Sequence, residues 1–217
     1  MIKKDSLTAF ASEFIGTLLL LAIVTGSGIM GERLGAGNLA VALLGNSIAT
    51  GCGLYVLITL LAPLSGAHFN PIVSMLVWHR TGRSIDHLFG YILLQTTGAI
   101  AGVWLTHLLF SLPIIQFSEK PRHSFGIWVS EFVASLILLG VIHLGVKSAH
   151  EKMPMLVAMT VTAGYWFSSS TFFANPAVTL ARSLTDTFVG INPADILEFV
   201  SAQIMACLLV MWITSKK

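Results

Sequence analysis

Charge is what this chain has least of. Its 217 residues include only 12 Lys and Arg and 10 Asp and Glu, so 10% of the sequence is charged, against about 25% in an ordinary soluble domain. That excludes a water-soluble globule, and a formal net charge of +2 supplies no basic surface for nucleic acid. The two cysteines, Cys52 and Cys207, both fall in apolar stretches. They are expected to be buried free thiols with no disulfide or metal role. No nucleophile–base pair, metal-ligand spacing or phosphate-binding glycine loop occurs, so neither an enzyme nor a bound cofactor is expected. Apolar and polar residues do not alternate, which excludes a membrane β-barrel. The first apolar run lacks a short core with a small-residue cleavage site, so it reads as a first span and not as a leader.

What the chain has instead is apolar length, with 55% hydrophobic residues and a mean hydropathy of +0.83. A bilayer core is about 30 Å thick and a helix rises about 1.5 Å per residue, so about twenty apolar residues cross it. Backbone groups facing lipid must be paired internally, which leaves helices as the spanning element. Spans are expected at residues 8–30, 39–62, 86–110, 125–146, 153–172 and 194–214. Lys3, Lys4, Arg80, Arg83, Lys147, Lys152, Lys216 and Lys217 then share one side, and Arg33, Lys120, Arg122 and Arg182 the other. The excess of basic residues on the first side places both termini in the cytoplasm of a multi-pass plasma-membrane protein.

Two further segments, 70–79 and 175–184, are about ten residues long and reach only about halfway across. Each opens on an Asn-Pro pair, Asn70-Pro71 and Asn175-Pro176, 105 positions apart. Asn is a favoured helix cap and Pro a favoured first helical residue, so each pair starts a helix. Deep in an apolar region, an Asn amide must find partners. If its oxygen caps its own half-helix, its NH₂ is left as a donor to the lumen. Half-helices entering from opposite faces would also bring two positive dipole ends together, disfavouring cations and admitting neutral hydroxylated molecules.

The halves repeat. Ser12-Glu13-Phe14 opens span one and Ser130-Glu131-Phe132 opens span four, while Gln95 and Gln203 sit four residues after Tyr91 and Phe199. Three spans per copy make the second copy inverted relative to the first, with the functional site at the midplane. The expected organisation is one channel domain over 1–217. Its repeats are 8–110, with half-helix 70–79, and 125–214, with half-helix 175–184.

These motifs, with Ser65-Gly66-Ala67-His68-Phe69-Asn70-Pro71, Gln95-Thr96-Thr97-Gly98-Ala99, Asn175-Pro176-Ala177 and Ala202-Gln203, resemble the aquaporin (major intrinsic protein) family along the whole chain. The resemblance implies an all-α membrane fold of six spans plus two half-helices in an inverted repeat, and a homotetramer with one pore per subunit. In that fold Asn70 and Asn175 line the pore midplane, Pro71 and Pro176 start the half-helices, and Glu13, Glu131 and His68 support the loops. The third residue of the first motif is Ile72 where the family usually has Ala.

A larger departure is Val178, where family channels usually place the Arg of the outer filter. Arg182, one turn further on, is not expected to replace it in the lumen. By the family's spacing the constriction would comprise Thr50, Ala163, Phe172 and Val178, a wide and largely apolar filter with one aromatic wall. The resemblance therefore implies a passive, aquaglyceroporin-like bacterial channel. Its cargo would be small neutral solutes: glycerol-like polyols, water, and arsenite or methylated arsenicals, as in the arsenic-linked branch with Val at this site. The alternatives are a water-selective aquaporin and an inverted-repeat secondary transporter, for which Glu13 and Glu131 are the only coupling candidates. The Ser168–Thr171 hydroxyls are placed near the outer mouth, and residues 119–123 in a solvated outer loop.

Overall fold

A computed structural model describes residues 4–215; Lys3, Lys216 and Lys217 lie outside them, and for residues 4–6 only the backbone is described. The helices are α1 Lys4–Leu34, α2 Leu39–Ser65, α3 Pro71–Thr81, α4 Ile85–Leu109, α5 Phe125–Ser148, α6 Met153–Phe167, α7 Pro176–Arg182 and α8 Ile196–Ser215. Local chemistry sets their ends. Asn38 caps α2 by accepting from the backbone N–H of Ala40 and Val41, and Ser84 and Ser124 cap α4 and α5 in the same way. Gly66, at φ 92°, ends α2 in the left-handed conformation that only glycine adopts without cost.

α1, α2, α4, α5 and the stretch Pro193–Ser215 are long and apolar enough to cross a bilayer. The fifth expected span is shorter than the sequence implies, because α6 stops at Phe167 after 15 residues. Residues 168–172 leave the helix there and turn back toward the interior, with Thr171 and Phe172 at positive φ. The second half-helix, α7, ends at Arg182 instead of 184. Its last turn tightens, with Ser183 N bonded to Leu180 O and Leu184 N to Ala181 O.

α3 and α7 are the two half-helices, and they run in opposite directions. α3 ends beside the end of α8, where His79 Nε2 and Ser215 Oγ are 2.6 Å apart. α1 and α4 begin on that same face, with the Phe10 and His87 rings 5.3 Å apart. α7 ends at the other face, where Ser118 N donates to Ser183 O.

Close packing rests on small residues. A Cβ at Gly98 or Gly102 of α4 would collide with the backbone carbonyls of Phe14 or Leu18 in α1, so the two helices cross with their backbones in contact. In the most apolar window of each long helix, no more than 44% of the residues are buried within the protein. The rest form an apolar outer belt suited to lipid. Cys52 belongs to that belt and is exposed, contrary to expectation, while Cys207 is buried. Cys52 lies two residues from Thr50, which puts it about 200° around the helix from that buried position.

Candidate functional site

Three residues before each half-helix hold left-handed backbone, and they match in pairs across the repeat. Gly66, Ala67 and Phe69 have φ of 92°, 49° and 48°; Thr171, Phe172 and Ala174 have 63°, 56° and 45°. Each pair is separated by the same interval as Asn70 and Asn175. Non-glycine residues rarely adopt this conformation, and it persists only where the surroundings fix it.

Here two buried carboxylates fix it. Glu13 Oε1 accepts from Ser65 Oγ at 2.7 Å and His68 N at 2.9 Å, and its Oε2 from Phe69 N and Gln95 Nε2, both at 2.8 Å. Glu131 Oε1 accepts from Phe173 N at 2.9 Å, and its Oε2 from Ala174 N at 2.9 Å and Gln203 Nε2 at 2.6 Å. The glutamines tie each brace to its half-helix: Gln95 Nε2 also donates to Ser74 Oγ at 2.8 Å and Gln203 Nε2 to Thr179 Oγ1 at 3.0 Å. Both carboxylates are fully buried. Each of these partners is a donor, which is how a carboxylate is accommodated away from water.

The two asparagines meet where the half-helices touch. Asn70 Nδ2 donates to Ala174 O and Asn175 Nδ2 to Phe69 O, each at 2.8 Å. The same side chains cap their own helices, Asn70 Oδ1 accepting from Ile72 N and Asn175 Oδ1 from Ala177 N and Val178 N. Each amide keeps a second hydrogen with no protein acceptor among the described residues. Ile72 is buried against Leu76, Leu139 and Cys207, so its bulk is absorbed by packing.

One cavity of about 850 Å³ passes both asparagines. Arg80, Thr81, His150 and Glu151 line one end, and Thr50, Tyr165, Phe172, Val178 and Arg182 the other. His68 lines the first half, with Nδ1 3.0 Å from Ser74 Oγ and its ring 5.2 Å from that of Tyr91. Of the four residues expected at the constriction, Thr50, Phe172 and Val178 line the cavity and are buried.

Ala163 does not line it and is exposed. The wall of α6 is made by Val157, Val161 and Tyr165, four residues apart, and Ala163 points about 200° away from that row. Tyr165 brings a hydroxyl 3.2 Å from Thr50 Oγ1. The four-residue spacing from Val161 would have marked it, as the same spacing from Val178 marks Arg182.

Arg182 is 2% exposed and faces the cavity, contrary to the expectation that it stays out of the lumen. Its Nε donates to Val189 O, and its guanidinium carbon sits 3.5 Å from the centre of the Phe173 ring. Arg122 is half-buried instead of solvated, donating through Nε to Gly190 O at 2.8 Å, 5.4 Å from the same ring. The Ser168 and Ser170 hydroxyls are spent within the protein, on Gly164 O and Ser130 Oγ.

The family model described as major intrinsic protein matches residues 1–171. The chain belongs to the major intrinsic protein family. Members of this family are passive channels and not enzymes. The chain is 50% identical over 195 residues to the aquaglyceroporin AqpS of Rhizobium meliloti, covering 89% of this chain and 83% of that one. It is 29% identical over 208 residues to a glycerol uptake facilitator of Bacillus subtilis, covering 85% and 73%. The fold matches the aquaglyceroporin of Plasmodium falciparum with a TM-score of 0.70 and 20% identity, over 95% of this chain and 96% of that one. Six spans and two half-helices in an inverted repeat, the aquaporin fold, are thus established for this aquaglyceroporin-like bacterial member.

Proposed function

We propose that this chain is a passive channel for small uncharged solutes of the glycerol class, with water passing by the same route. The observation that carries the reading is the reciprocal pair of asparagines on one cavity. Each amide is fixed by a backbone carbonyl of the opposite loop and retains a hydrogen for a passing hydroxyl. The two half-helix N-termini converge there, so neutral lone-pair donors are favoured and cations are not. Among the described residues, no donor reaches the carbonyl oxygens of Ala67, His68, Phe172 or Phe173, so these are available to accept from a solute's hydroxyls.

The filter region is formed in this reading by Thr50, Tyr165, Phe172 and Val178. Phe172 gives an apolar wall for carbon, and the Thr50–Tyr165 hydroxyl pair gives a polar edge for oxygen, an arrangement that suits polyols. Val178 is shorter than the family's usual arginine. The passage therefore extends to urea, arsenite and methylated arsenicals. Glu13, Glu131, Pro71, Pro176 and His68 shape the loops. Both carboxylates are engaged by donors of their own loop and by a glutamine, which favours a bracing role in a channel over proton coupling in a secondary transporter.

The operating unit is one channel domain spanning 1–217, with repeats at 8–110 and 125–214, in the plasma membrane with both termini cytoplasmic. The basic residues Arg80, Arg83, Lys147 and Lys152 on the terminal face support that orientation. Membership of the major intrinsic protein family supports assembly into a homotetramer in lipid.

The test is light-scattering swelling of vesicles containing the purified protein, challenged with glycerol, urea and arsenite gradients. Glycerol entry well above that of empty vesicles is expected. Entry of all three solutes at the empty-vesicle rate would refute the wide-filter channel, and entry of water alone would favour a water-selective pore.

A further inference from the structure

We infer that Arg182 supplies a second cation barrier in this channel, beyond that of the half-helix dipoles at the asparagines, from a position one helical turn past the residue where the family places its arginine. The inference rests on the channel reading above. Val178 and Arg182 are four residues apart on α7, and both line the cavity. Removing a charge at Val178 therefore does not remove charge from this wall.

Three features hold the guanidinium in place. Its Nε is bonded to Val189 O. Its plane lies against Phe173, with the guanidinium carbon 3.5 Å from the ring centre, a cation–π contact strengthened by burial. Phe173 itself is fixed by its backbone N–H on Glu131 and by an edge contact with Phe199, ring centres 4.9 Å apart.

No carboxylate neutralises the charge at close range. Among the described residues Arg182 forms no ion pair within 4 Å, and the Glu131 carboxylate is engaged by Phe173 N, Ala174 N and Gln203 Nε2. Arg122, which does not line the cavity, places a second guanidinium 5.4 Å from the centre of the same ring. The terminal Nη groups of Arg182 have no hydrogen-bond partner among the described residues and are open to the cavity. A monovalent cation entering here meets repulsion beside a low-dielectric wall, where it is poorly screened. A neutral solute instead meets hydrogen-bond donors.

The consequence is a pore with a wide aperture and an intact charge barrier, because aperture and charge reside on different residues. The experiment compares acetamide with acetamidinium, nearly isosteric solutes that differ by one positive charge, in vesicles of the wild-type protein and of Arg182→Met. Glycerol flux is measured in the same vesicles. Wild type is expected to pass glycerol and acetamide and to exclude acetamidinium at least tenfold. Arg182→Met keeps an apolar stem against Phe173; the ratio of acetamidinium to acetamide entry in its vesicles is expected to rise at least tenfold over wild type. Arg182→Lys is expected to behave as wild type.

Wild-type vesicles that pass acetamidinium as fast as acetamide would overturn the inference without any variant. So would Arg182→Met that passes glycerol and still excludes acetamidinium. Should Arg182→Met not fold, Arg182→Gln with intact glycerol flux and undiminished exclusion of acetamidinium would overturn it equally. Absence of glycerol flux in wild type is the separate result that refutes the channel itself.

Discussion

Replacing Glu131 by Gln changes one oxygen to NH₂ at constant size and shape, and the structure fixes what that does. Phe173 N donates to one carboxylate oxygen, and Ala174 N to the other, at 2.9 Å each. A glutamine has one acceptor oxygen, so either rotamer leaves a backbone N–H facing an amide N–H₂. Gln203 can flip its own amide to suit the new group, but a backbone donor cannot. The loss is one hydrogen bond to a charged acceptor, about 1.5–3 kcal/mol, plus the cost of a buried unsatisfied donor, about 1–3 kcal/mol. The sum is about 2.5–6 kcal/mol. The loop it destabilises already holds Phe172 and Ala174 at φ 56° and 45°, so the residues that line the cavity move first. For a chain of this size about 3 kcal/mol lowers the unfolding midpoint by about 6 °C or more. The assay is thermal unfolding of purified Glu131→Gln in detergent, with glycerol swelling in vesicles. A lower midpoint and reduced flux are expected, with Glu13→Gln behaving alike because His68 N and Phe69 N also divide between two oxygens. An unchanged midpoint with full glycerol flux in both variants would refute the account of the carboxylates as braces of strained loops.

Val178→Arg narrows the cavity at the filter and is expected to slow glycerol and urea about tenfold, a barrier increase of about 1.4 kcal/mol, while slowing water less. Equal loss for all solutes in the swelling assay would contradict the filter role of this position. Asn175→Ala removes the cap on Ala177 N and Val178 N and the bond to Phe69 O. It is expected to cost about 2 kcal/mol and to abolish solute flux, read by thermal unfolding and swelling together. Gly102→Val forces a side chain into the Leu18 carbonyl. Loss of monodisperse protein in size-exclusion chromatography is expected, and a well-folded variant would show that α1 and α4 do not cross this closely.

Much of the fold was written locally. The Asn-Pro pairs of this chain each start a helix, and two of them inside apolar sequence leave half-spans as the consistent reading. The Ser-Glu-Phe and Gln pairs exposed the repeat because each residue has a fixed partner in its own half. Rotation about the helix axes was the information missing from the sequence. In a soluble protein a polar stripe shows which way a helix faces. Here lipid outside and packing inside are both apolar, so the stripe is absent. That is why counting along the chain selected Ala163 where the packed helix presents Tyr165, and why Cys52 faces outward.

The sequence by itself determined the number and kind of helices, the pairing of the two halves, and the identity of the carboxylates and amides at the centre, because these follow from residue chemistry and spacing. Tertiary structure decided which further residues line the cavity beside Thr50, Phe172 and Val178. It brought Arg182 onto the face of Phe173, drew Arg122 in behind it, and set the Tyr165 hydroxyl beside Thr50. Those contacts join segments that are distant in the chain, and the orientation of each is set by its neighbours' shapes and charges once the spans have packed.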